Sequence, residues 1–125
     1  MVARILCLTG VLVVAVLAGC AARLEPHAPV GEAGGVRFTV SAPSARSVAL
    51  SGSFNGWSAT RHPMARVGSD GLWAVVIPLP PGEHAFMFVV NGTQWLSPPQ
   101  AEEYVEDGFG NKNGVVVVRD VHAHR

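Results

Sequence analysis

Cysteine is scarce. The 125 residues hold two, Cys7 and Cys20, both within the first twenty. The rest of the chain therefore has neither a disulfide framework nor a thiol nucleophile. Charge of either sign is also sparse, with nine Lys and Arg against nine Asp and Glu. A chain without net charge is a poor nucleic-acid binder, because that affinity comes from phosphate contacts. No apolar run reaches the ~20 residues that a membrane-spanning helix needs; Ile5 to Leu17 stops short of it. Helical periodicity is missing as well. What the chain has is Gly, Pro and Val, with 14 Gly and 9 Pro, a composition of short strands and many turns.

The N-terminus stands apart. Arg4 precedes the apolar run, and small residues follow it, the pattern of a secretory signal. Leu17-Ala18-Gly19-Cys20 resembles the lipobox of bacterial lipoproteins. That resemblance implies cleavage after residue 19 and lipid on Cys20, with Cys7 leaving in the signal. It places the chain in a bacterial cell envelope, lipid-anchored. Ala21 at the second mature position implies the outer membrane, facing the periplasm. Three acyl chains exceed the two signals that stable attachment takes. Loss of Arg4 leaves 8 basic against 9 acidic groups, so the balance stays near neutral.

The organisation expected is a signal peptide over 1–19, a flexible tether over 20–35, a β-sandwich over 36–119 and a frayed tail over 120–125. The tether, "AARLEPHAPVGEAGG", lacks apolar periodicity. From Val36 the pattern turns to period two. Val36, Phe38 and Val40 form one inward face; Val48, Leu50 and Gly52 a second; Trp73, Val75, Ile77 and Leu79 a third; Phe86, Phe88 and Val90 a fourth. Pro78 cannot donate to a ladder, so its strand should have an edge there. Residues 58–67 look irregular, with Met64 packing inward. Asn91-Gly92 marks a tight hairpin, and Thr93–Leu96 returns as a short strand. Residues 97–114 look like a long loop, and Val115–Val118 a buried closing strand. Turns every 8–12 residues between short strands predict an all-β fold, a small antiparallel immunoglobulin-like β-sandwich.

Three tryptophans sort by phase. Trp73 is in step with Val75 and Ile77 and belongs to the core. Trp57 and Trp95 each follow an Asn-Gly turn, Asn55-Gly56 and Asn91-Gly92. Either they cap the edge of the sandwich, or they form a platform. Indole faces pack against the C–H faces of a pyranose ring with large area and little entropy loss, while Asn, Gln or Lys bond the rim hydroxyls.

"SGSFNGW" (51–57), "GLWAVVIPLPPGEHAFMFVVNGTQW" (71–95) and "GFGNKNGVVVV" (108–118) together resemble the family 48 carbohydrate-binding modules. These include the glycogen-binding domains of AMP-activated kinase β subunits and the early-set N-terminal domains of branching and isoamylase-type enzymes. The resemblance runs from about Val36 to Val118. It implies an α-glucan partner of the glycogen, starch or maltodextrin type, contacted by Trp57, Trp95, Phe109, Asn111 and Asn113. The family places a lysine where this chain has Met87. Period two turns Met87 away from Phe86 and Phe88, towards the outer face.

No catalytic residue, metal ligand set or cofactor is expected. Glu102, Glu103, Glu106 and Asp107 form a solvated charge run rather than the fixed carboxylate pair of a glycosidase. The histidines lack metal-site spacing, and His122-Ala-His124 sits in the tail. Two functions are open at this stage: a membrane-tethered, non-catalytic glucan-binding module, or an envelope protein-interaction or structural module that keeps the fold without binding sugar.

Overall fold

A computed structural model describes residues 24–120. Successive side chains of a strand point to opposite faces, and the in-step apolar sets Val36/Phe38/Val40, Val48/Leu50, Trp73/Ile77 and Phe86/Phe88 give two sheets that each turn one face to a shared core. The strands are β1 (Val30–Glu32), β2 (Gly35–Ser41), β3 (Val48–Gly52), β4 (His62–Pro63), β5 (Ala65–Val67), β6 (Leu72–Ile77), β7 (Gly82–Val90), β8 (Gln94–Leu96), β9 (Glu103–Glu106) and β10 (Lys112–Val118). One sheet has the order β1-β2-β6-β5. The other has the order β4-β3-β7-β10-β9, with β8 also paired to β7. All pairings are antiparallel.

The core lies between the sheets. Phe38, Val40, Trp73 and Ile77 from the first meet Val48, Leu50, Phe86, Phe88 and Val116 from the second. Phe86 sits edge-on to both Phe38 and Phe88, with ring centroids 5.0 and 5.7 Å apart, the arrangement that aromatic quadrupoles favour. Trp73 is a core residue as its phase predicts. Its indole N–H donates to the Ala42 carbonyl at 3.0 Å, and the Arg66 guanidinium lies over its ring. Met64 is buried too. β5 pairs only with Leu72–Ala74, so the end of β6 before Pro78 has the open edge that proline requires. The result is an antiparallel, immunoglobulin-like β-sandwich.

Three expectations need correction. The segment read as tether, 20–35, enters the fold: β1 pairs with β2, Val30 opposite Arg37 and Glu32 opposite Gly35. Upstream of it, the His27 N–H donates to Thr39 Oγ1 at 2.9 Å, and the Thr39 hydroxyl donates to the His27 carbonyl at 3.1 Å. Val30, Gly31 and Glu32 are all exposed, so no apolar alternation could announce the strand; backbone pairing holds it, together with the ion pair of Glu32 with Arg37 at 2.9 Å. Residues 58–67, read as irregular, contain β4 and β5. Residues 97–114, read as a loop, contain β9, whose four side chains are all exposed, and the start of β10. The signal peptide, Cys20 and the histidines of the tail lie outside the described residues.

Thr39 is buried beneath the N-terminal segment. Thr39→Val keeps its shape and removes both bonds to His27. Urea unfolding should show a loss of about 1–3 kcal/mol; an unchanged midpoint would mean that residues 24–29 add nothing to the domain.

Candidate functional site

The turn after β3 is built around one amide. Asn55 is buried, and its Oδ1 accepts the N–H groups of Gly52 at 3.0 Å and Ser58 at 3.3 Å. Two backbone donors on that atom identify it as the oxygen. Its Nδ2 therefore donates, to the Leu50 carbonyl at 3.0 Å and to His62 Nδ1 at 2.9 Å. His62 Nδ1 must be an unprotonated acceptor here. The chain then takes two left-handed residues in succession, Gly56 (φ 67°) and Trp57 (φ 59°). Glycine accepts this freely; a bulky side chain does so at about 1–3 kcal/mol. The Trp57 N–H is anchored on the Gly52 carbonyl at 3.0 Å. This backbone course turns the indole out of the core and leaves Trp57 38% exposed.

Trp95 is presented by a similar device. Asn91 (φ 53°) and Gly92 (φ 77°) are left-handed, and Asn91 Oδ1 accepts the N–H groups of Arg46 at 2.7 Å and Ser47 at 3.3 Å. The chain re-enters the sheet as β8, with Trp95 directly opposite Val89 and 45% exposed. Directly paired residues share a face. Phe86 and Phe88 point inward, so Met87, Val89 and Trp95 belong to the outer face, as does Ser51 opposite Met87.

Five residues close round one open depression on that face: Trp57, Met87, Asp107, Phe109 and Asn113. Met87 is only 6% exposed and forms the floor. Phe109 is 91% exposed, at the tip of the loop between β9 and β10. Asp107 organises that loop: its Oδ1 accepts the Phe109 N–H at 2.7 Å and the Asn111 N–H at 3.1 Å, while its own N–H donates to the Asn111 carbonyl at 3.0 Å. Asn113 reaches the depression from β10, opposite Val105.

The structure thus gathers Trp57, Met87, Phe109 and Asn113. It does not bring in Asn111, which lines a separate depression on the other side of the loop. Trp95 does not line the Trp57 depression either. It stands across from the next outward residue on β7, roughly 7 Å further along the strand. Asp107 is the lining residue that sequence reasoning missed, having read it as part of a solvated charge run. An Asp-Gly step before an exposed aromatic is a side-chain-to-backbone turn signal that would have found it. Among the described residues no group of three or more His, Cys, Asp or Glu is placed to hold a metal.

Asn55→Ala should cost about 2 kcal/mol or more, since it strands buried backbone groups of Gly52 and Leu50. Denaturant unfolding followed by tryptophan fluorescence measures this, and an effect below 0.5 kcal/mol, the ordinary scatter of surface substitutions, would contradict the role given to the amide.

Comparison with known proteins agrees with this fold. Residues 23–106 match the model of carbohydrate-binding module 48, the isoamylase N-terminal domain; the match begins ahead of β1. The chain is 42% identical over 69 residues to the 1,4-alpha-glucan branching enzyme GlgB of Pseudomonas syringae pv. tomato, covering 54% of this chain and 9% of that enzyme. It is 54% identical over 52 residues to GlgB 2 of Xanthomonas campestris pv. campestris (42% and 7%), and 39% identical over 70 residues to GlgB of Mycobacterium ulcerans (56% and 10%). The chain therefore spans about a tenth or less of the length of these curated relatives. With well over half of its residues inside the family match, the chain belongs to the family 48 carbohydrate-binding modules.

Proposed function

We propose that this chain is a non-catalytic, membrane-tethered binding module for α-glucans of the glycogen, starch or maltodextrin type. The observation that carries the proposal is the outer-face depression in which Trp57 and Phe109 stand beside a Met87 floor, with Asn113 and Asp107 at hand. Aromatic faces take the C–H surfaces of glucose rings, and the amide and carboxylate take rim hydroxyls. Trp95 extends the same face. The family and the relatives named for acting on 1,4-alpha-glucan support this ligand class. The non-catalytic part of the reading rests on the depression's single carboxylate, Asp107, already engaged with backbone N–H groups. Glycoside hydrolysis uses two carboxylates across the scissile bond. Tethering rests on the Leu17–Cys20 motif, and the outer-membrane, periplasm-facing part of the reading on Ala21 after it.

One observation favours a second reading, an envelope protein partner. Met87 puts an apolar thioether where the family resemblance places a lysine, and a depression floored by methionine and rimmed by exposed aromatic rings also suits protein contacts. Recovery of the same envelope proteins by wild type but not by the Trp57→Ala/Trp95→Ala double variant, with no retardation by glucan, would decide for it.

Affinity electrophoresis in amylose or glycogen tests the main reading. The chain should be retarded, and Trp57→Ala or Trp95→Ala should each weaken binding by about 2 kcal/mol, the threshold of a hot spot. Migration unaffected by glucan would refute it. For the anchor, Cys20→Ser should move the chain from the membrane fraction to the soluble fraction; a chain that stays with the membrane would refute lipid attachment at that residue.

A further inference from the structure

The hairpin of β9 and β10 has two faces, and each carries a depression. Val105 and Asn113 lie on the face of the Trp57 depression. Their neighbours Tyr104, Glu106 and Lys112 alternate to the opposite face, with Lys112 paired to Glu106 and Tyr104 to Gly114. There a second open depression of about 440 Å³ is lined by Ser97, Pro98, Tyr104, Gly110, Asn111 and Lys112. The first measures about 330 Å³. Both fall in the range of small-ligand sites, about 300–1,000 Å³. The hairpin lies between them, and its loop, from Asp107 to Asn111, contributes residues to both.

One side of the second depression is held in place by packing and a hydrogen bond. Pro98 is buried and seated on Gly114, where an added Cβ would lie 2.8 Å from its ring. The Tyr104 hydroxyl donates to the Pro98 carbonyl at 2.9 Å, which fixes the ring while leaving Tyr104 45% exposed. Lys112 is exposed and forms no ion pair among the described residues. An oriented aromatic ring, an ammonium, an amide and a hydroxyl are the groups a neutral, hydroxyl-rich ring takes: stacking on its C–H face and donors or acceptors at its rim.

We propose that this depression is a further subsite for the same glucan chain, with Tyr104 as its platform and Lys112 and Asn111 as its hydroxyl partners. The inference rests on the glucan reading above. The axial linkage of an α-1,4-glucan bends the chain at every residue, so one chain can pass over the projecting Phe109 ring and enter both depressions. Lys112 then supplies, on the far side of the tip, a charged donor that the Met87 floor lacks. It also gives Asn111 a place in the site although the Trp57 depression excludes it.

Titration calorimetry of the full chain with maltotriose and with maltoheptaose tests this. Wild type should bind the longer sugar more tightly. Lys112→Met and Tyr104→Ala should each weaken maltoheptaose binding about tenfold, the scale of one charged hydrogen bond or one stacked ring, and leave maltotriose within about twofold. Trp57→Ala should weaken both. Tyr104→Phe, which keeps the ring, should retain most of the maltoheptaose affinity, separating stacking from the bond to Pro98. Unchanged maltoheptaose binding by Lys112→Met and Tyr104→Ala overturns the second subsite while leaving the glucan reading intact. An equal loss on both sugars also overturns it, since it places these residues at the first depression. Binding of neither sugar by wild type overturns the glucan reading itself.

Discussion

Strand β7 is the constraint on which the remaining structure depends. It is hydrogen-bonded along both edges, to β3 on one side and to β10 and β8 on the other. Its even-numbered residues Phe86 and Phe88 complete the core, and its odd-numbered Met87 and Val89 carry the outer face. A slip of one residue would exchange these sets, burying the floor of the site and exposing the aromatic core. The cost of exposing Phe86 and Phe88, each of which buries a large apolar area, excludes the alternative register. The position of the site is thus tied to the stability of the domain.

Aromatic presentation in this protein is a backbone property. Trp57 and Trp95 both follow left-handed turns whose Asn side chains accept backbone N–H groups, Asn55 from Gly52 and Ser58, Asn91 from Arg46 and Ser47. The strain at Trp57 is offset by the four bonds of the Asn55 amide and by the anchored Trp57 N–H. Phe109 is held differently: its ring has little packing, and the Asp107 carboxylate fixes its backbone between two left-handed glycines, Gly108 and Gly110. In each case a buried or backbone-bonded polar group does the positioning and an apolar ring is what faces solvent. Backbone fixed in advance lowers the entropy lost when a ligand arrives.

Much of this was legible in the chain. Period two separated Trp73 from Trp57 and Trp95 and turned Met87 outward, and Met64 was expected inside although its segment looked irregular. The parts that were not legible share a cause. β1 and β9 expose every side chain, so their residues carry no apolar alternation, and their strand character exists only in pairing with β2 and β10. The division of Asn111 from Asn113 had the same origin. Residues two apart on a strand share a face, yet Asn111 lies beyond the end of β10 in the Asp107 loop, where strand parity no longer applies.

The sequence by itself determined the alternation that makes two buried faces, the turns that cut the chain into strands, and the residue types able to stack on and bond a sugar. Those are local properties, set by side-chain chemistry and by the two-residue repeat of an extended chain. Tertiary structure decided which of those residues meet. Trp57, Met87 and the pair Phe109 and Asn113 come from three separate stretches, and only the antiparallel register of β3, β7 and β10 brings them to one depression. It also decided that the β9–β10 hairpin would present a second face, because side chains on opposite sides of a ribbon can diverge only once the ribbon has formed.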